Sequence, residues 1–189
     1  NTIDKGGYFE VIKLSEEDLL RNKTYKTNVQ RMGVQKDFID YDDFLKSLEM
    51  IAEIKSFTSV YIPRITQLTN KTNQFNLTTK RFTQTDLELI MEDNSFIKLY
   101  GILKDKYGDN GLTSVVIGRV DNEVMHIDLW LMSCRVLKRN LEFAMMDELI
   151  TSAIINNVSI IKGYFIKTKK NNMVAPFYQD LGFKKINEN

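Results

Sequence analysis

The sequence predicts an α/β fold: a mixed, mostly antiparallel sheet flanked by helices, behind an N-terminal helical connector. Three observations predict it. Apolar runs of strand length follow one another closely over Phe96–Lys104, Leu112–Val120 and Val124–Cys134, joined by turn residues, as in an antiparallel meander. Helical patterns with capping signals lie before and after that meander. Apolar residues are sparse upstream of Met50, so one core is expected and it belongs to residues 50–189.

The elements follow in order. Residues 1–7 read as the end of a linker. Ser15 is placed to cap a helix carrying Leu19, Leu20, Tyr25, Val29 and Met32, with Gly33 as its stop. Residues 42–49 form a short second helix, completing a connector over 1–49. Ile51–Phe57 is a first strand. A helix then starts at Thr58 or Ser59, with Pro63 in its first turn, where proline is tolerated, and Ile62, Ile65 and Leu68 on its apolar face. Residues 70–81 are polar, interrupted only by Phe75 and Leu77. Thr85-Asp86-Leu87-Glu88 fits a capping box. Gly108-Asp109-Asn110-Gly111 is a hairpin-turn signal, and Asp121-Asn122-Glu123 turns the chain into the next strand. A helix from Leu141 to about Asn156, a strand over Val158–Ile166, a helix over Asn172–Asp180 and a last strand over Gly182–Ile186 complete the reading.

Composition excludes several functions. With 26 Lys+Arg against 25 Asp+Glu, the net charge of +1 gives no bulk attraction to nucleic acid or anionic membrane. No apolar run approaches the ~20 residues that span a bilayer. One cysteine cannot form an internal disulfide, which points to a reducing compartment and a cytoplasmic location. One Cys and one His do not make a structural zinc site, and no metal is expected. The chain opens on Asn1 rather than Met, so it is expected to be a piece of a longer polypeptide.

Candidate chemistry gathers around the third run of the meander. Residues 135–140 carry three cations in six, and Asn140 is placed to cap the following helix. Unpaired N–H groups and the positive end of the macrodipole make that helix start a seat for phosphate or pyrophosphate; the alternative is a solvated basic connection. Period-two alternation puts His126, Asp128, Trp130, Met132 and Cys134 on one face. His126 and Asp128 are candidates for a base and its orienting partner, Asp128 the better of the two; the alternative is that they are partly solvated near the strand end. Cys134 is either an acyl acceptor or, more simply, a small buried hydrophobe. Asn73, Gln74, Asn76, Thr78 and Thr79 show no periodicity, as in loops that carry function; turn capping is the alternative.

The order of elements, with a basic loop after the fourth strand, resembles the GNAT acyltransferase fold. That family binds the pyrophosphate of coenzyme A on a loop reading Arg/Gln-x-x-Gly-x-Gly/Ala. Arg135 matches its first position, while Lys138 and Asn140 stand where the two glycines would be. Asn171, Val174, Phe177, Tyr178, Leu181, Gly182 and Phe183 fall in the register of a second GNAT pattern, Asn-x-x-Ala-x-x-Leu/Phe-Tyr-x-x-Leu-Gly-Phe. The resemblance implies that Tyr178 protonates a leaving thiolate. It also implies that Ser133, Arg135, Leu137, Lys138, Arg139, Asn140 and Asn171 contact the cofactor, and that Asn73, Gln74, Asn76, Thr78 and Thr79 border the acceptor.

Four blocks resemble the FkbH-like proteins more narrowly: Leu68–Arg81, Gly108–Leu112, Trp130–Leu137 and Thr168–Asn171. In that family a HAD-superfamily phosphatase-like domain precedes a GNAT-like half, and characterised relatives load a glyceryl unit onto the phosphopantetheine of an acyl carrier protein. The HAD motif Asp-x-Asp-x-Thr is absent from this sequence. The resemblance therefore implies the connector and the GNAT-like half, acting on a thioester of acyl-coenzyme A or carrier-bound phosphopantetheine. Implied partners are an acyl carrier protein and the HAD-like domain. Two alternatives are a non-catalytic docking module for the carrier protein and a stand-alone N-acetyltransferase of an amine or amino sugar.

Overall fold

The computed structural model describes residues 27–186. The chain divides into two compact units, Asn1–Phe44 and Leu45–Asn189. In the first, residues 27–35 are helical (α1). Gly33 does not end this helix: one interior glycine costs about 1 kcal/mol, which is less than a break requires. The turns run on instead, with Lys36 and Asp37 N–H donating to the carbonyls of Gly33 and Val34. The Ser15 cap lies outside the described residues. The next helix, α2 (Tyr41–Ser47), is capped by Asp40, whose Oδ1 accepts from the N–H groups of Asp42 and Asp43 at 2.7 and 3.2 Å.

The second unit is a five-stranded sheet in the order β1 (Ile51–Ser56), β2 (Phe96–Asp105), β3 (Gly108–Asp121), β4 (Val124–Met132) and β5 (Ile160–Gly163). The first four strands pair antiparallel and β5 joins β4 in parallel. Helices α3 (Ile62–Lys71) and α4 (Gln84–Glu92) cover one face, burying Ile62, Ile65, Leu68, Leu87 and Ile90. Helices α5 (Leu141–Ile155) and α6 (Phe177–Asp180) cover the other, where Leu141, Met145, Leu149 and Phe177 meet Leu99, Ile127 and Trp130. A parallel pair needs a long crossover, and α5 supplies it between β4 and β5.

Local chemistry moves several boundaries. The capping box is Thr83 with Asp86, two residues before the predicted one: Thr83 Oγ1 accepts from Asp86 N–H, and Asp86 Oδ2 accepts from Thr83 N–H. The β2–β3 turn is Lys106-Tyr107, because Asp105 Oδ1 takes the N–H groups of Tyr107 and Gly108 first. The predicted turn residues Gly108–Gly111 lie in β3 and absorb a bulge, with Gly111 at φ +67°. The predicted helix over Asn172–Asp180 is broken into a 3-10 turn, Asn172–Val174, and α6, with Pro176 between them. The predicted last strand is absent. Leu181-Gly182-Phe183 instead stops α6 in a Schellman motif: Gly182, at φ +84°, donates to Gln179 O, Phe183 donates to Tyr178 O, and the two rings pack at 5.0 Å. No described helix is long and apolar enough to cross a membrane.

Candidate functional site

The site begins with a bulge. Ile117 pairs with Leu129 and Gly118 with Ile127, so Asp128 is an extra residue in β4. The alternation predicted from the sequence therefore flips there. Met125 and Ile127 share a core with Trp130 and Met132, while Leu129 and Leu131 face the other core and His126 departs from the predicted face. The β4–β5 pairing ends at the same level, with Ile127 opposite Gly163, and the strands diverge.

An extended segment of the chain itself lies along the freed edge of β4. Leu77 N–H donates to Trp130 O and Met132 N–H donates to Phe75 O, both at 3.0 Å, and Asn76 bridges Leu131. On the far side, Ile166 N–H donates to Leu77 O at 2.8 Å. Phe75 and Leu77 are buried in the α5-side core, and Phe75 meets the Phe177 ring edge-on at 4.9 Å. The sequence carried a trace of this strand, since Phe75 and Leu77 are spaced by two within a polar stretch.

The polar residues around that segment bind their own chain. Asn171 is fully buried; its Nδ2 donates to the carbonyls of Asn76 and Ile166 at 3.0 and 2.9 Å, and its Oδ1 accepts from Thr168 N–H at 2.7 Å. Thr78 Oγ1 donates to Asp128 O at 2.7 Å. Asn76 Oδ1 accepts from Thr79 N–H, with Thr79 at φ +59°, and Asn73 Oδ1 accepts from Arg81. Gln74 is exposed. These are the bonds of a capped, folded loop.

Beyond β4, Ser133 N–H donates to Thr113 O at 2.7 Å and a 3-10 turn, Cys134–Val136, follows. Cys134 is exposed on it rather than buried in a strand. Lys138 and Asn140, at the positions where the GNAT loop has glycine, have φ +60° and +59°. The backbone thus keeps a left-handed path without the residue that adopts it freely, at about 1 kcal/mol for a side chain such as lysine. Asn140 stands at the cap position of α5, yet its side chain makes no capping bond because the left-handed backbone turns it away. Arg139 reaches inward to the buried Asp105 carboxylate at 3.3 Å. Arg135 is mostly buried with Nε unpartnered; burial lowers its pKa and nearby Arg64 adds to the effect. Leu137 packs on the α5-side core and Lys138 is exposed.

Tyr178 sits at the fork of β4 and β5. Its ring lies on Gly163, where a Cβ would come within 2.3 Å of Cε1 and 2.5 Å of Cζ. Its hydroxyl is buried without a hydrogen bond of normal geometry, and burial pushes its pKa far up, opposed only weakly by the Tyr164 N–H. Asp128 is elsewhere. Its carboxylate meets Lys80 at 2.7 Å and Arg119 at 3.4 Å, on the face of Ile117 and Leu129 rather than that of Tyr178. His126 Nδ1 lies 2.5 Å from Tyr164 Oη with the rings stacked. The structure therefore brings Phe75–Leu77, Asn171, Asp128 and Thr78 together through β4, and does not join Asp128 to Tyr178.

No protein-family model and no curated protein sequence matches this chain. Solved structures do. The ribosomal-protein-S18-alanine N-acetyltransferase of Escherichia coli superposes with TM-score 0.53 at 12% identity, over 72% of this chain and 80% of that one. The aminoglycoside N-acetyltransferase AAC(6')-Iy in complex with CoA gives 0.57 at 9% identity, over 74% and 92%. Ard1 from Thermoplasma volcanium gives 0.52 at 15% identity, over 70% and 82%.

Proposed function

We propose, from its GNAT acetyltransferase fold, that this chain is the acyltransferase portion of an FkbH-like protein. It would handle an acyl thioester, a glyceryl unit in the reading drawn from the resemblance, on coenzyme A or on the phosphopantetheine of an acyl carrier protein. One observation carries this reading: in that fold, at the junction of β4 and α5, Lys138 and Asn140 stand at the two glycine positions of a phosphate-binding loop and take left-handed φ values, which glycine adopts freely. N–H groups there, together with the start of α5, would hold phosphate. The residues fit the cofactor at this loop, whereas the adjoining edge of β4 is taken by Phe75–Leu77. Coenzyme A or carrier-bound pantetheine supplies the activated thioester. Tyr178 stays protonated at neutral pH, the form a proton donor to a thiolate needs.

A second reading, a non-catalytic module docking a carrier protein for a HAD-like domain, is favoured by that occupied edge. Calorimetry with acetyl-coenzyme A, coenzyme A and holo carrier protein separates the two. Micromolar binding of acetyl-coenzyme A supports the transferase, binding of holo carrier protein alone supports docking, and binding of none sinks both.

A further inference from the structure

We propose that Phe75–Leu77 is an autoinhibitory strap, and that an extended arm bearing amides, as pantetheine does, can lie along β4 only after the strap has left it. The proposal rests on the acyl-thioester reading for its choice of ligand and on the strand geometry for the rest.

The gap beyond the bulge is one chain wide. Leu77 bonds Trp130 O through its N–H and Ile166 N–H through its carbonyl, so the segment fills the space between β4 and the chain leaving β5. The occupied groups, Trp130 O and Met132 N–H, are those an added strand uses, and from Met132 the chain passes through Ser133 and the 3-10 turn Cys134–Val136 to the left-handed Lys138. An arm held at its phosphate by that loop would need to return along the same edge. Strap and arm therefore compete for one lane.

The strap has identifiable clamps: the fully buried Asn171 on Asn76 O, and Thr78 Oγ1 on Asp128 O. Apparent affinity for a ligand that needs the open form scales with the fraction open, so weakening a clamp raises affinity. This opposes the expectation that Asn171 contacts the cofactor, under which its loss weakens binding.

The test is titration of coenzyme A into the unmodified chain, Asn171→Ala and the isosteric Thr78→Val, with amide exchange read at Leu77 and Met132. We expect about tenfold tighter binding in Asn171→Ala and a severalfold gain in Thr78→Val. Bound coenzyme A should also speed exchange at Leu77. Thr78→Val guards against misfolding of the first variant. Equal or weaker binding in variants whose Leu77 amide exchanges faster overturns the strap, as does bound coenzyme A that leaves Leu77 protected. Absence of binding in all three proteins instead removes the coenzyme A reading, and the strap's ligand with it.

Discussion

Replacing Tyr178 by Phe removes one oxygen and leaves the ring on Gly163 and against Phe177 and Phe183. The hydroxyl is buried with the Tyr164 N–H near it but no hydrogen bond of normal geometry, and a buried polar group left unsatisfied costs about 1–3 kcal/mol. The variant is therefore expected to be neutral to about 1 kcal/mol more stable at pH 7, the upper end corresponding to a rise of roughly 2–4 °C in Tm for a chain of this size. The pH dependence is sharper. The folded pKa lies above the unfolded value, so the native state holds a proton that the unfolded chain releases above about pH 10. Relative to Tyr178→Phe, the unmodified chain should lose about 1.4 kcal/mol per pH unit above that point. Urea unfolding of both proteins from pH 8 to 11.5 measures this, and the difference cancels the other tyrosines. A difference that stays flat with pH would mean that the folded phenol ionises as readily as the unfolded one, and a variant destabilised by more than about 1 kcal/mol would mean that the hydroxyl has a partner; either result would refute the argument. Turnover is a separate readout: it should fall with little loss of binding, and unchanged turnover removes Tyr178 from the mechanism.

Three more outcomes are expected. Asn140→Ala should cost about 1 kcal/mol in urea unfolding, because asparagine tolerates the left-handed φ of +59° better than alanine does, while Asn140→Gly should cost little. Gly163→Ala should cost about 1–3 kcal/mol, since its Cβ meets the Tyr178 ring at 2.3 Å; a stability within 0.5 kcal/mol would show that the ring moves freely. Arg139→Met should cost about 3 kcal/mol in urea unfolding by leaving the Asp105 carboxylate buried beside fewer donors, and a loss under about 1 kcal/mol would show that the pair contributes little.

Periodicity made the fold legible. The meander, the α3 face of Ile62, Ile65 and Leu68, and the strand–loop–helix from Val124 to Leu141 all follow from apolar spacing. The errors arose where a side chain or a single extra residue overrode that spacing. Asp105 formed the hairpin turn before the glycines could, and a Schellman stop used the Gly182-Phe183 pair that read as a strand start. The strand–loop–helix that frames the candidate site was legible, but its backbone path was not. Left-handed lysine at 138 has no propensity signal, and a bulge at Asp128 has no compositional one, so the predicted face through His126 and Trp130 does not exist. Phe75–Leu77 lies in a loop, as read, and its bridge to β4 was the part not legible. Its partners, Trp130 and Ile166, are remote in sequence.

The bulge makes β4 a matter of counting. Asp128 holds two cations at its carboxylate and receives Thr78 at its carbonyl, so a change of side chain there releases Lys80 and Arg119, both half-exposed, and leaves the strand's register intact. Losing the residue altogether would restore strict alternation through the strand. Either Met125 and Ile127 would trade places with the imidazole of His126, or Trp130 and Met132 would leave their core for the opposite one. This position should therefore accept almost any substitution and no deletion, with chain length rather than residue identity as the constrained quantity.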